Sequence, residues 1–297
     1  MSKTGIGYAY AFIAYSLWGL LPVYWKLLSF ANPYEILSHR ILWSFVFALL
    51  LIIVLKRENP LILLRKKKNI LIVAATGVTI SINWLVYIYA INSGFIVEAS
   101  LGYYINPLVS VFLGVFFLKE KLAALQKIAL VLSAAGVAYL TVRYGKFPWI
   151  ALGLAFSFAA YGLLKKLFAL DTIGSLMLET MFVSPLALGF LIFGAFSGSG
   201  PWASHFLYRL PLSPVLFAAC GIVTSVPLAL FAEGAKRIPL SSIGFLQYIS
   251  PTLTLLVGLM FYGEGFTSVH AVSFGLIWTG LALNTIAVVR KIRGKTP

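Results

Sequence analysis

Ten runs of mostly apolar residues follow one another along this chain, at 5–27, 33–55, 69–91, 97–118, 122–142, 148–168, 173–196, 212–233, 238–262 and 267–289. A helix needs about 20 such residues to cross ~30 Å of hydrocarbon, and each run is long enough. The hydrophilic segments between them are too short to form a soluble domain. The 297 residues are 61% hydrophobic and 10% charged, whereas soluble domains average roughly 45–50% and about 25%. A water-soluble fold of this size could not hide so much apolar surface. The expected fold class is an all-α integral membrane protein of ten transmembrane helices.

Charge orients the spans. The formal net charge is +15, from 23 Lys and Arg against 8 Asp and Glu. In a soluble protein that balance would suggest nucleic acid. Here the basic residues sit almost entirely between spans, as expected of cytoplasmic loops, so no nucleic-acid partner is expected. Eighteen fall on one side, four on the other, and Arg40 lies inside a span. The positive-inside rule then places both termini in the cytoplasm, in agreement with an even number of spans. The first run exceeds the ~7–15 apolar residues of a signal-peptide core and lacks a cleavage site; it reads as a permanent helix. One cysteine, Cys220, and three scattered histidines offer neither a disulfide framework nor a metal cluster, and no cofactor is expected.

The chain also repeats itself. A shift of 144 residues, ungapped from Gly77 to Thr141, superposes Gly77 on Gly221, Tyr104 on Tyr248, Pro107 on Pro251, Gly114 on Gly258, Glu120 on Glu264 and Gly136 on Gly280. A shift of 143 sets "YSLWGLL" (15–21) over "FAAYGLL" (158–164). Residues 1–145 and 146–297 are thus read as two five-helix units. Five is odd, so the second unit enters the membrane from the opposite face. Such inverted repeats are associated with secondary transporters whose site lies near the midplane between the units. Proline frees a backbone carbonyl and bends its helix, which is tolerated in lipid where neighbours or cavity water satisfy the loose group. Pro107 and Pro251 are therefore read as paired helix kinks in spans 4 and 9.

The strings "EILSHRILWS" (35–44), "EASLGYYINPL" (98–108), "RIPLSSIGFLQYISPTL" (237–253) and "YGEGFT" (262–267) carry a family resemblance. With "SFAAYGLLKK" (157–166) and "LMLETMFVSPLAL" (176–188), they make the chain similar, over essentially its whole length, to the EamA branch of the drug/metabolite transporter superfamily. Within that branch it most resembles the RarD group, named for chloramphenicol sensitivity. The resemblance implies ten helices and carrier-type transport.

An ionisable residue at mid-span costs ~2.5–3.5 kcal/mol on the insertion scale, so it needs a partner or a task. His39 and Arg40 lie about seven residues into span 2, roughly 10 Å deep at ~1.5 Å per residue. Arg40 is expected to pair with Glu98 or Glu35, or alternatively to snorkel to the outer interface. Glu179 sits at the matching depth from the cytoplasmic face, and Glu233 neighbours Lys236 and Arg237. His39, Arg40, Glu98, Glu179 and Glu233 are the gating or coupling candidates. Glu120 and Glu264, at span ends, are read as groups that fix loops. Mid-span aromatic and polar residues are the candidate solute contacts: Trp18, Asn83, Trp84, Tyr87, Tyr103, Tyr104, Asn106, Tyr161, Gln247, Tyr248 and Ser250. Together they suit a largely apolar pocket with a few hydrogen-bonding groups.

The expected function is a secondary-active carrier that moves a small organic metabolite or drug-like solute across the cytoplasmic membrane by alternating access. No G-x-x-x-x-G-K-[ST] motif is present, so ATP is not expected to drive it directly. An integral-membrane enzyme is disfavoured, since neither H-E-x-x-H nor G-x-S-x-G occurs. A translocase or scaffold for a lipid or lipid-linked solute is the alternative.

Overall fold

In a computed structural model, residues 3–28, 30–92, 95–168, 170–197, 212–261 and 267–292 are described. Among them lie eleven α-helices: α1 (Lys3–Leu27), α2 (Pro33–Val54), α3 (Lys67–Asn92), α4 (Ile96–Phe117), α5 (Ala124–Tyr144), α6 (Trp149–Leu167), α7 (Thr172–Ser197), α8 (Ser213–Arg237), α9 (Leu240–Gln247), α10 (Ile249–Phe261) and α11 (Ser268–Ile292). A short 3₁₀ turn, Pro60–Arg65, links α2 to α3. Ten membrane-length spans result, with α9 and α10 together making the ninth. In lipid every backbone group must be satisfied within its own segment, which selects helices. Many hydroxyls follow the same logic and bond back one turn, as Ser157 to the Gly153 carbonyl (2.7 Å) and Thr180 to that of Leu176 (2.9 Å). Large apolar side chains point outward, with Leu186 77% and Val54 73% exposed. That arrangement is stable against acyl chains and not against water.

The two halves pack by a reciprocal rule. α1 packs on α8 as α3 packs on α6, α2 on α8 as α3 on α7, and α4 on α6 as α1 on α9 and α10. The remaining main contacts are self-paired: α2 with α7, α4 with α9, and α5 with α11. Each relation is carried into its twin by exchanging span n with span n + 5. At the α5–α11 seam the symmetry reaches single atoms. A Cβ on Gly136 would lie 2.7 Å from the Ser273 carbonyl oxygen, and one on Gly280 would lie 2.8 Å from that of Ala129. Ser273 and Ala129 are related by the same shift of 144 that relates the glycines. Without a hydrophobic drive between helices in lipid, such close backbone approach is what holds them together.

The paired prolines are housed differently. α4 runs unbroken through Pro107. Span 9 is interrupted at Tyr248, whose amide turns back to the Phe245 carbonyl (3.3 Å), and Pro251 then occupies the first turn of α10. Proline has no N–H to give the carbonyl four residues earlier, which belongs to Tyr103 in one case and Gln247 in the other. Both residues line the central cavity.

Candidate functional site

α1, α2, α3, α4, α6, α8, α9 and α10 enclose a cavity of about 240 Å³. At ~30 Å³ per water that is the space of about eight waters, near the lower bound for small-ligand sites. Trp18, Asn83, Trp84, Tyr87, Tyr103, Tyr104, Asn106, Gln247 and Ser250 all line it, and so does Arg40. Tyr15, Trp25, Phe158, Thr224 and Thr254 also line it and were not anticipated. Tyr15 carried the same signal as Trp18, a mid-span aromatic. Trp25 lies near a span end, where an interfacial role is the default reading. Thr224 carried no local signal, because its importance comes from what reaches it across the fold.

Arg40 reaches it. Its Nε donates to Thr224 Oγ1 at 3.1 Å, bridging α2 and α8. Its guanidinium carbon lies over the rings of both Trp25 (4.9 Å to the centroid) and Trp84 (5.1 Å). Neither snorkelling nor a Glu35 partner describes this arrangement. Glu35 is 3% exposed and makes no ion pair among the described residues. The Glu98 side chain lies outside the described residues; its backbone is in the first turn of α4. His39 is not among the residues lining the cavity and packs its ring 4.3 Å from that of Phe217.

Around the cavity, amides and hydroxyls tie helices together. Asn83 Nδ2 donates to the Leu154 carbonyl (2.9 Å) and to Ser157 Oγ (3.0 Å), joining α3 to α6. Ser110 donates to Gln247 Oε1 at 3.2 Å, joining α4 to α9. Below lies an aromatic floor in which Trp18 meets Phe158 edge-on at 5.5 Å and Phe158 meets Phe231 at 5.3 Å. Tyr161 and Tyr248, both expected in the pocket, do not line it. Tyr161 is 1% exposed within the floor and gives its hydroxyl to Glu179 Oε2 (3.2 Å). Tyr248, also 1% exposed, is packed into the core at the α9–α10 break.

Past the floor, toward the lysine-rich ends of the helices, the halves are cross-braced. Lys165 Nζ lies 2.5 Å from Glu179 Oε1 and 2.9 Å from Ser175 Oγ, and Thr76 of the first half donates to the same Glu179 oxygen at 2.9 Å. Glu120 accepts from the Leu240 amide (2.7 Å) and from the Ser241 amide (2.8 Å) and hydroxyl (2.7 Å), capping α9 from the other half. A carboxylate there meets the positive end of the helix dipole. Lys166 donates to the Ile238 carbonyl at 2.5 Å just past the end of α8, where a cation is favoured. Glu233 is held by Thr172, Lys236 and Arg237. Lys165 was missed as a site residue, because a lysine near a span end looks interfacial in sequence. It is 4% exposed.

A ten-helix membrane protein whose two repeats meet around a solute-sized hollow has the build of a transporter. Residues 5–142 and 147–286 each match the EamA-like transporter family, and the chain belongs to that family. It is similar to "Uncharacterized transporter YojE" of Bacillus subtilis, at 47% identity over 97% of this chain and 96% of that protein. It is also similar to "Protein RarD" of Escherichia coli, at 40% identity over 95% and 94%. A solved crystal structure 20% identical superposes with a TM-score of 0.70 over 97% of this chain and 98% of its own, which shows a common fold.

Proposed function

We propose that this transporter is a secondary-active carrier of a small organic metabolite or drug-like solute, working by alternating access in the bacterial cytoplasmic membrane. In this reading the chain divides near Gly145, which ends α5 in a left-handed turn (φ 75°). Both termini and the lysine-rich helix ends face the cytoplasm. The cross-braced end is then the closed cytoplasmic gate, and the cavity lies on the outer side of it. Trp18, Asn83, Trp84, Tyr87, Tyr103, Tyr104, Asn106, Gln247 and Ser250 contact the solute. Pro107 and Pro251 loosen the helices on which the halves rock, and Arg40, Glu98, Glu179 and Glu233 belong to the gating machinery.

One observation carries the reading: a single cavity is walled by both halves while their contacts on one side of it are polar and breakable. Solute bound there would touch every part that must move. Purified protein in liposomes tests it. Saturable, protein-dependent flux of a small solute, lost in Tyr104→Ala, is the expected result. Movement of lipid headgroups between leaflets without solute flux would favour a lipid translocase instead. Tags at both chain ends should be reached by impermeant reagent only from the cytoplasmic side.

A further inference from the structure

We infer that the cavity selects a small organic monoanion, with the carboxylate held by the free edge of the Arg40 guanidinium. This deepens the carrier reading and rests on it for the role of the site, though not for its chemistry.

The argument starts from which donors are used. Among the described residues, Arg40 engages one acceptor, Thr224, through Nε. The two indole rings lie 4.9 and 5.1 Å from its guanidinium carbon, and the hydrogen bond to Thr224 uses Nε, so neither terminal nitrogen is engaged by an acceptor among the described residues. An arginine held this way is already ordered, with its terminal nitrogens presented as a planar fork matched to carboxylate geometry. Ordering before binding reduces what a ligand must offset.

Charge narrows the class. Arg40 is the one charged side chain among the described residues lining the cavity. A bound monoanion neutralises it. A cation would meet repulsion, and a dianion would leave net charge in a poorly solvated space, which is expensive. No carboxylate among the described residues of this lining is present to hold an ammonium group. The rest of the wall limits the body of the solute. Trp18, Phe158 and Leu228 offer apolar surface, and the volume of about 240 Å³ admits a compact molecule.

Four probes of similar size test this by thermal shift and calorimetry on the full chain in detergent: benzoate, benzamide, benzylammonium and phenylphosphonate at a pH where it is dianionic. Benzoate should bind at least ~10-fold more tightly than each of the others, about 1.4 kcal/mol. Arg40→Gln should abolish that preference, and Arg40→Lys should keep its sign at reduced size, because a point charge replaces a fork. Equal binding of benzamide or benzylammonium, tighter binding of phenylphosphonate, no benzoate binding, or a preference that survives Arg40→Gln would each overturn the inference. Benzoate affinity that emerges only in Glu98→Gln would also overturn it, by showing that Glu98 occupies the fork. The two readings fail separately. Benzoate preference without flux sinks the carrier and leaves the anion site standing. Flux of neutral solutes indifferent to Arg40→Gln leaves the carrier and sinks the anion site.

Discussion

Two basic residues inside spans, the half-buried Arg40 and the buried Lys165, sit on either side of the aromatic floor and are treated in opposite ways. Lys165 is enclosed by a carboxylate, a hydroxyl and the face of Tyr161, with its ammonium 5.4 Å from that ring centroid. Arg40 has a hydroxyl and two indoles but no ion pair among the described residues. A cation in a poorly solvated interior needs its charge answered. At the Lys165 end the protein supplies the answer itself, and the halves are locked. At the Arg40 end the answer is left to whatever enters the cavity. Partner chemistry therefore separates a structural ion from one poised to bind, although both are basic residues inside spans.

The comparison breaks most visibly at the locked end. Lys165→Met leaves Glu179 buried with two hydroxyl donors and no cation, and removal of one partner from a buried pair costs about 3–5 kcal/mol. A large fall in thermal stability in detergent is expected. Lys165→Met combined with Glu179→Leu should recover most of it, since an apolar replacement of both partners is often neutral. If the double variant is as unstable as the single one, the pair is not the unit that matters. A smaller effect is expected at the cap of α9. Glu120→Ala removes the acceptor for two backbone amides, worth about 1–2 kcal/mol by analogy with other caps. On the proposed alternating-access reading, in liposomes it should also shift the transporter away from the arrangement closed at the lysine-rich end, read as greater labelling of the α9 N-terminus.

How much of this contrast was legible in sequence depends on reach. The spans were legible because hydropathy acts locally: the run read at 238–262 is α9 and α10 at Leu240–Phe261. The repeat was legible through matches such as Gly136 on Gly280, and the structure puts both glycines at the α5–α11 seam, a packing that the shift of 144 alone did not announce. Nine of the eleven expected solute contacts line the cavity, all but one of them mid-span aromatics or amides. Glu120 was read as a group that fixes a loop, whereas it caps the helix α9, 120 residues away. Partnerships were the blind spot. Arg40 was matched with Glu98 or Glu35, or left to snorkel, because carboxylates and the interface are where a cation is expected; among the described residues it meets a threonine 184 residues away and two tryptophans instead of Glu35. Nothing in a one-dimensional pattern distinguishes a tyrosine facing a cavity from one like Tyr161 that spends its hydroxyl on a carboxylate.

The closed end can also be sharpened. Lys119 takes a left-handed conformation (φ 55°) where α4 ends, and the Glu120 amide then turns back to the Gly114 carbonyl at 3.1 Å. That is a turn in which glycine is preferred, and the residue that the repeat superposes on Lys119 is Gly263. A side chain in this conformation costs roughly 1–2 kcal/mol, partly offset by the greater freedom glycine has when unfolded. Lys119→Gly should therefore raise stability by about 0.5–1 kcal/mol and leave solute binding unchanged, as measured by thermal melts with and without benzoate.

The smallest effect on stability belongs to Arg40, and that is what makes it informative. Arg40→Gln forfeits the bond to Thr224 and the indole contacts, which are worth about 0.5–2 kcal/mol where desolvated. It also removes a charge from a site that answers it poorly, which is favourable. No carboxylate among the described residues is orphaned by the change, unlike the removal of Lys165. The two terms oppose each other, so the net change should stay within about 1 kcal/mol. A melt close to wild type, together with loss of the benzoate preference, would assign Arg40 to binding. A collapse comparable with Lys165→Met would show instead that the arginine is as structural as the lysine, and the contrast between the two ends of the cavity would disappear.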